Sequence, residues 1–143
     1  MPDTSCIVAA VCSWHEHHGR AAGAIEERLS RKRPMLIAAH SLIEAYSVLT
    51  RLPAPHRVSP SDALTLIEAN FMRGVKIVAL PAKSYVALLR KAPQEGVSGG
   101  RTHDALIAAC ARRAKAETLL TFNQGDFASL AGLGLEIVIP GAR

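Results

Sequence analysis

Residues 98–130, SGGRTHDALIAACARRAKAETLLTFNQGDFASL, carry one helix-to-strand unit. The run reads as a glycine-rich loop, a helix opening at Thr102, a short apolar strand over Thr118–Thr121, and a polar turn bearing Asn123 and Asp126. Thr102 has the side chain of an N-cap, and Asp104 falls in the first turn, where negative charge suits the helix dipole. Arg112, Arg113 and Lys115 occupy the last turn, where cations suit it. A helix that feeds directly into a strand is half of an α/β unit.

Working outward, that topology governs where the acids fall. In a parallel sheet the crossover helices run against the strands, so helix N-termini and strand C-termini gather at one edge. Asp104 opens a helix and Asp126 follows a strand, so both belong there. Pro34-Met35-Leu36-Ile37-Ala38 reads as a central parallel strand, followed by Ser41-Leu42-Ile43-Glu44 and a helix over Ala45–Leu52, which Pro53 and Pro55 end. Ser41 and Glu44 have the spacing of a capping box, and Glu44 again stands in the first turn of a helix after a strand. Asp3 precedes the apolar, helix-compatible segment Cys6–Trp14, which leaves room for only a residue or two of strand before it. Asp3, Glu44, Asp104 and Asp126, with Asn123, therefore fall at one edge, although each also has a local capping explanation.

The remaining segments complete an alternating pattern. Trp14-His15-Glu16-His17-His18-Gly19 matches neither HExxH nor a two-cysteine, two-histidine spacing, and reads as a polar loop into a helix over Arg20–Arg31. Ala21, Ala22, Ile25 and Leu29 give that helix its apolar repeat, and Arg31-Lys32-Arg33 closes it with charge suited to phosphate. Ser59-Pro60-Ser61-Asp62 opens another helix, with Gly74 as its stop and Asp62 as a dipole partner outside the site. Val75–Leu80 reads as a strand, Pro81–Lys91 as a helix, and Leu135–Ile139 as the last strand. The loop Gln94–Arg101 lies near the acid edge, with Arg101 placed to meet an anion.

Composition limits the function classes. A chain of 143 residues is expected to form one domain over 1–143. With 49% apolar but only 4% aromatic residues, its core must be built from Ala, Leu, Ile and Val. Cys6, Cys12 and Cys110 are odd in number and lack CxxC spacing, as expected of reduced, buried residues in a cytosolic protein. No apolar run is long enough to span a bilayer and Asp3 interrupts a signal-peptide reading, so a soluble, cytoplasmic protein is expected. A net charge of +5 and a pI near 9.5 favour an anionic partner such as nucleic acid, although aromatic residues for base stacking are scarce.

Carboxylates brought together raise one another's pKa unless a cation neutralises them, and oxygen-only ligands suit Mg²⁺ or Mn²⁺. Such an ion can activate water for in-line attack on a phosphodiester. Asp3-Thr4-Ser5 at the start, Glu44 in an early helix, His103-Asp104 heading a helix, and Thr121-Phe122-Asn123-Gln124-Gly125-Asp126-Phe127 after a strand together resemble a PIN domain, closest to the bacterial VapC toxins. The resemblance covers nearly the whole chain. It implies a three-layer α/β/α sandwich with a central, mostly parallel sheet, and a Mg²⁺- or Mn²⁺-dependent endoribonuclease. It further implies a homodimer inhibited by a cognate antitoxin protein. By position Asp3, Glu44 and Asp104 match the family's three central acids and Asp126 the last, while Asn123 stands where many relatives have an aspartate.

On this reading the acids hold the ion and none is a covalent nucleophile. Arg101, with Arg112 or the Arg31–Arg33 cluster, would position the RNA backbone. Thr4, Ser5 and Thr121 would orient ligands or water, or else make local turn and cap bonds. An aspartyl phosphatase would want an acid two residues after the first, where Ser5 stands, and the GxxxxGK[ST] loop of a P-loop NTPase is missing. The remaining alternative is a PIN-like module that binds RNA or a protein partner without cutting.

Overall fold

Two parallel strand pairs and one isolated bridge form the middle of the protein, in a computed structural model that describes residues 1–132 and 134–142. Positions 133 and 143 of the expected 1–143 domain lie outside the described residues. Strand β1 (Met35–Ala38) pairs with β2 (Val75–Val78), Met35 opposite Val75 and Ala38 opposite Val78. Strand β3 (Thr118–Leu120) pairs with β4 (Glu136–Val138). Pro2 makes a lone parallel bridge to Leu120. Leu120 donates its N–H to the Met1 carbonyl (2.8 Å), and Asp3 donates to the Leu120 carbonyl (2.9 Å). Pro2 has no N–H to donate, so the pairing of this segment with β3 rests on those two bonds beside the bridge.

Among the described residues seven helices flank these strands: α1 (Thr4–Val11), α2 (His18–Leu29), α3 (Ala39–Arg51), α4 (Pro60–Phe71), α5 (Ala82–Lys91), α6 (Arg101–Arg113) and α7 (Gln124–Ala128). The alternation of β1 assigns them to layers. Met35 and Ile37 point into a cluster with Ile7, Ile25, Leu49 and Phe71 from α1 to α4. Leu36 and Ala38 point into a second cluster with Ile107, Ala111 and Phe127 from α6 and α7. A strand buried on both faces is sandwiched between helical layers, which is the expected α/β/α arrangement.

Helix starts follow local chemistry in some places and burial in others. Asp3 caps α1 by accepting the Cys6 N–H (2.8 Å). Ser59 caps α4 ahead of Pro60, and Gly74 takes a left-handed φ of 68° after it. The expected capping box at Ser41 and Glu44 is absent: α3 begins at Ala39, directly after β1, and Ser41 is buried within its first turn. Burial of Leu42, Ala45 and Leu49 at helical spacing decides that earlier start. Thr102 likewise does not cap α6, whose N-cap is Gly100 without a side-chain bond. The expected polar turn at Asn123–Asp126 is a five-residue helix, held down by the fully buried Phe127. Cys6, Cys12 and Cys110 are free and buried. Among the described residues no helix is long and apolar enough to cross a membrane.

Candidate active site

At the edge where β1 and β3 end lies a cleft of about 440 Å³, lined by Asp3, Thr4, Ser5, Glu44, Asp104 and Asn123. Val8 and Val48 contribute apolar wall, while His15, Glu16, His17 and Phe122 close the other side. The rule that placed strand C-termini beside helix N-termini thus brings together three of the four expected acids. Asp126 is the exception in part. It is exposed on α7 and does not line the cleft, yet its charge still reaches Asp104.

Asp3 is the most constrained of the acids, only 2% exposed. Its Oδ1 accepts from the Cys6 N–H (2.8 Å) and the Ser5 hydroxyl (2.7 Å), and its Oδ2 accepts from the Thr121 hydroxyl (2.6 Å). Burial raises its pKa, and the bonds from Thr121, Cys6 and Ser5 oppose that rise. Thr121, itself fully buried, also accepts the Asn123 N–H (2.9 Å), so one hydroxyl links the acid to the loop after β3. Thr4 donates to Glu44 Oε2 (2.5 Å), joining α1 to α3. The hydroxyls of Thr4, Ser5 and Thr121 therefore orient carboxylates, and Ser5 does so within the local turn that caps α1.

Asp104 stands half-buried in the first turn of α6, with its pKa pushed up to about 6. Burial is the largest cause, followed by the charges of Asp3, Asp126 and Glu44, with His103 opposing them. Among the described residues no Lys or Arg lines the cleft, and none of the four acids forms a salt bridge. An oxygen-rich, negatively charged donor set of this kind fits a hard divalent cation such as Mg²⁺ or Mn²⁺.

The basic residues expected to meet phosphate are engaged elsewhere. Arg101 donates to the Ser129 hydroxyl (2.9 Å), and Arg112 donates to the Leu130 carbonyl, so both tie α6 to the α7 segment. Arg31 pairs with Glu27 (2.6 Å) and Arg33 with Glu117 (3.8 Å). Arg31 and Arg33 line a separate cleft with Arg28, Met1, Lys115 and Thr118, at the edge where β1 and β3 begin. Helix C-termini gather at that opposite edge for the same topological reason that N-termini gather at the acids.

Sequence reasoning missed the far wall. Phe122 stacks on His17, ring centroids 4.4 Å apart, and the Arg20 guanidinium lies 5.5 Å from the Phe122 ring centre. Phe122 sits between Thr121 and Asn123, which marked it for scrutiny. The tract His15–His18, set aside as a metal motif, supplies three wall residues, His15, Glu16 and His17. Even so, His15 Nδ1 accepts the His17 N–H (3.1 Å), and His18 Nδ1 faces the Ala9 carbonyl (3.0 Å), so these rings serve the local turn.

The family model for the PIN domain matches residues 1–133. Ribonuclease VapC40 of Mycobacterium tuberculosis is 38% identical over 122 residues, 82% of each chain. Ribonuclease VapC27 of the same organism is 33% identical over 109 residues, covering 76% of this chain and 66% of that one. Among solved structures, the crystal structure of Mycobacterium tuberculosis VapC20, a sarcin-ricin loop cleaving toxin, superposes with a TM-score of 0.71 at 17% identity. That match covers 90% of this chain and 92% of that one. Fold, acid edge and sequence agree, and the chain belongs to the PIN-domain family and, within it, to the VapC ribonucleases.

Proposed function

We propose that this VapC ribonuclease is an endoribonuclease toxin that hydrolyses RNA phosphodiesters with Mg²⁺ or Mn²⁺ held by Asp3, Glu44 and Asp104, with Asp126 adding charge from outside the cleft. The observation that carries this reading is the convergence of the three acids on one cleft that no Lys or Arg lines among the described residues, where burial first and the neighbouring acids second push the Asp104 pKa up to about 6. An ion held there would supply positive charge that eases loss of a proton from the attacking water and offsets charge building on the phosphate.

The chain's own residues do the rest. Asp3, fixed by three donors, and Glu44, fixed by Thr4, present their carboxylates without having to find a rotamer when the ion arrives. The exposed Asn123 side chain supplies a neutral hydrogen-bond donor at the cleft mouth, suited to a phosphate oxygen. Phe122, backed by His17, offers a face on which an unpaired base stacks, which favours single-stranded or looped RNA.

Residues 1–143 act as one nuclease domain in the cytoplasm, as a homodimer and under control of a cognate antitoxin protein. Exposed apolar side chains on α3, α4 and α5, among them Ile43, Leu64, Val86 and Leu89, support such protein contacts. Cleavage of purified cellular RNAs tests the reading, with added Mg²⁺ or Mn²⁺ and with chelator, comparing wild type with Asp104→Asn. Metal-dependent cutting by wild type alone is expected. Equal cutting by both proteins would remove Asp104 from the site, and no cutting by either folded protein would favour a binding module.

A further inference from the structure

His40 and Glu44 stand four residues apart on α3 and so share one face of that helix. His103 approaches them from the first turn of α6. One ligand atom from each of the three residues can be chosen so that all lie within 4.8 Å of one another, and among the described residues this is the group of His, Cys, Asp or Glu that meets that closeness. The four acids of the proposed nuclease site do not.

We infer that His40, Glu44 and His103 form a second divalent-metal site at the rim of the cleft, of the mixed nitrogen and oxygen type that takes Zn²⁺. The two imidazoles lie edge to edge with their planes only 14° apart and centroids 4.9 Å apart, and His40 Nε2 faces His103 Nδ1 at 2.7 Å. Ring nitrogens at hydrogen-bond distance must present at least one lone pair to each other, so a ligand atom is already aimed at the gap. With metal–nitrogen bonds near 2.0 Å, two ligands of a tetrahedral ion stand about 3.3 Å apart. The rings need to part by roughly half an ångström and to tilt so that both lone pairs converge on the ion, which rotation of an exposed His103 and a half-buried His40 supplies. Glu44 is already oriented, since Thr4 holds Oε2 and Oε1 has no hydrogen bond among the described residues. Three protein ligands on a solvent-facing rim leave the fourth position open, unlike a closed structural zinc site.

Ligand softness separates this site from the acid set. Two imidazoles favour a borderline ion over Mg²⁺, whereas oxygens alone accept the hard ion. Glu44 belongs to both sets, so Zn²⁺ at the histidines withdraws a carboxylate from Asp3 and Asp104. The trio therefore makes the nuclease sensitive to Zn²⁺, an effect that rests on the nuclease reading, whereas Zn²⁺ binding itself does not.

Titration calorimetry with Zn²⁺, and the visible absorption of Co²⁺ as a spectroscopic substitute, test the site directly on the full chain. Wild type and Asp104→Asn are expected to bind one Zn²⁺ with similar affinity and to give the intense bands of tetrahedral, histidine-bound Co²⁺. Binding should weaken at least about tenfold in His103→Gln and further in His40→Gln/His103→Gln. His15→Ala/His17→Ala, which disrupts the neighbouring tract, should bind as wild type. His103 is exposed, so its single variant keeps the test readable if the double variant fails to fold. Unchanged Zn²⁺ affinity in His103→Gln, or loss of binding in His15→Ala/His17→Ala, would overturn the assignment. These readings need no cleavage, so their failure is distinct from failure of the nuclease reading.

Discussion

The Thr121 hydroxyl donates to Asp3 Oδ2 at 2.6 Å, joining residues 118 positions apart. Both groups are buried, and the same hydroxyl accepts the Asn123 N–H. Thr121→Val keeps the shape and removes donor and acceptor together. A hydrogen bond to a buried charge contributes about 1.5–3 kcal/mol, so chemical denaturation should show a loss of that order. Thr121→Ser should recover most of it. Because the Thr121 bond opposes the rise in the Asp3 pKa, the Val variant should also hold its Asp3 proton to higher pH, and cleavage should need more alkaline buffer. Unchanged stability in Thr121→Val would mean that water replaces the hydroxyl.

Asp104 gives a prediction of opposite sign. Its folded pKa, about 6, lies above the usual value of 3.8, so the folded protein binds this proton more tightly than the unfolded chain does. The associated stability is complete below pH 3.8, declines as pH rises, and is gone above about 6. A shift of that size corresponds to at most about 3 kcal/mol, and solvent screening of a half-exposed group reduces it to about 1–2 kcal/mol. Asp104→Asn, expected to be inactive in cleavage, should therefore be more stable than wild type in chelator at pH 7.5 and indistinguishable from it near pH 4. Thermal melts across that range check this. A destabilised Asn variant at pH 7.5 would show that the Asp104 carboxylate is not penalised in the folded state by burial and the neighbouring acids.

The charge that burial and the neighbouring acids penalise at Asp104 makes the fold responsive to metal. A ligand that binds only the folded state at about a hundred times its dissociation constant stabilises by about 2.7 kcal/mol. Saturating Mg²⁺ or Mn²⁺ should raise the melting temperature of wild type at pH 7.5, raise it less at pH 5 where Asp104 keeps its proton, and leave Asp104→Asn nearly unmoved. Equal shifts in both proteins would place the ion elsewhere.

The positions of Glu44 and Asp104 were legible because each follows the rule that a helix after a strand, or a helix leading into one, starts at the strands' C-terminal edge. Applied as strictly to Arg31-Lys32-Arg33, which ends a helix and precedes β1, that rule would have sent the cluster to the opposite edge, where the structure has it. The capping box at Ser41 was misread for a different reason. Its S-x-x-E spacing is a local signal, and burial of Leu42, Ala45 and Leu49 outweighed it by starting α3 at Ala39. Phe122 and His17 were read only as parts of a motif and a polar loop, because nothing in a loop's sequence says which way a side chain turns. His40 was legible in principle, four residues before Glu44 on a helix that sequence reasoning began too late to include.

Asp126 tests how far the acid set extends. It is exposed and outside the cleft lining, and its charge acts on Asp104 through solvent. Asp126→Asn should lower metal-dependent cleavage by about tenfold or less, well short of the loss in Asp104→Asn, and the deficit should shrink with added salt as the contribution of the Asp126 charge in wild type is screened. Parallel rate measurements decide between the two ranks. An Asp126 variant as dead as Asp104→Asn would mean that α7 closes onto the ion during the reaction.

Phe122 should divide binding from chemistry. Its ring stacks on His17 at the cleft wall but touches none of the acids by hydrogen bond, so it has no part in charge or proton handling. Stacking of a base on an aromatic ring contributes about 1–3 kcal/mol. Phe122→Leu keeps apolar volume, removes the face, and should raise KM by about fivefold to a hundredfold with kcat little changed. The penalty should be largest on looped RNA, whose bases are free to stack, and small on duplex. A fall in kcat at constant KM would instead assign Phe122 to the alignment of Asn123 and Thr121, its neighbours on either side.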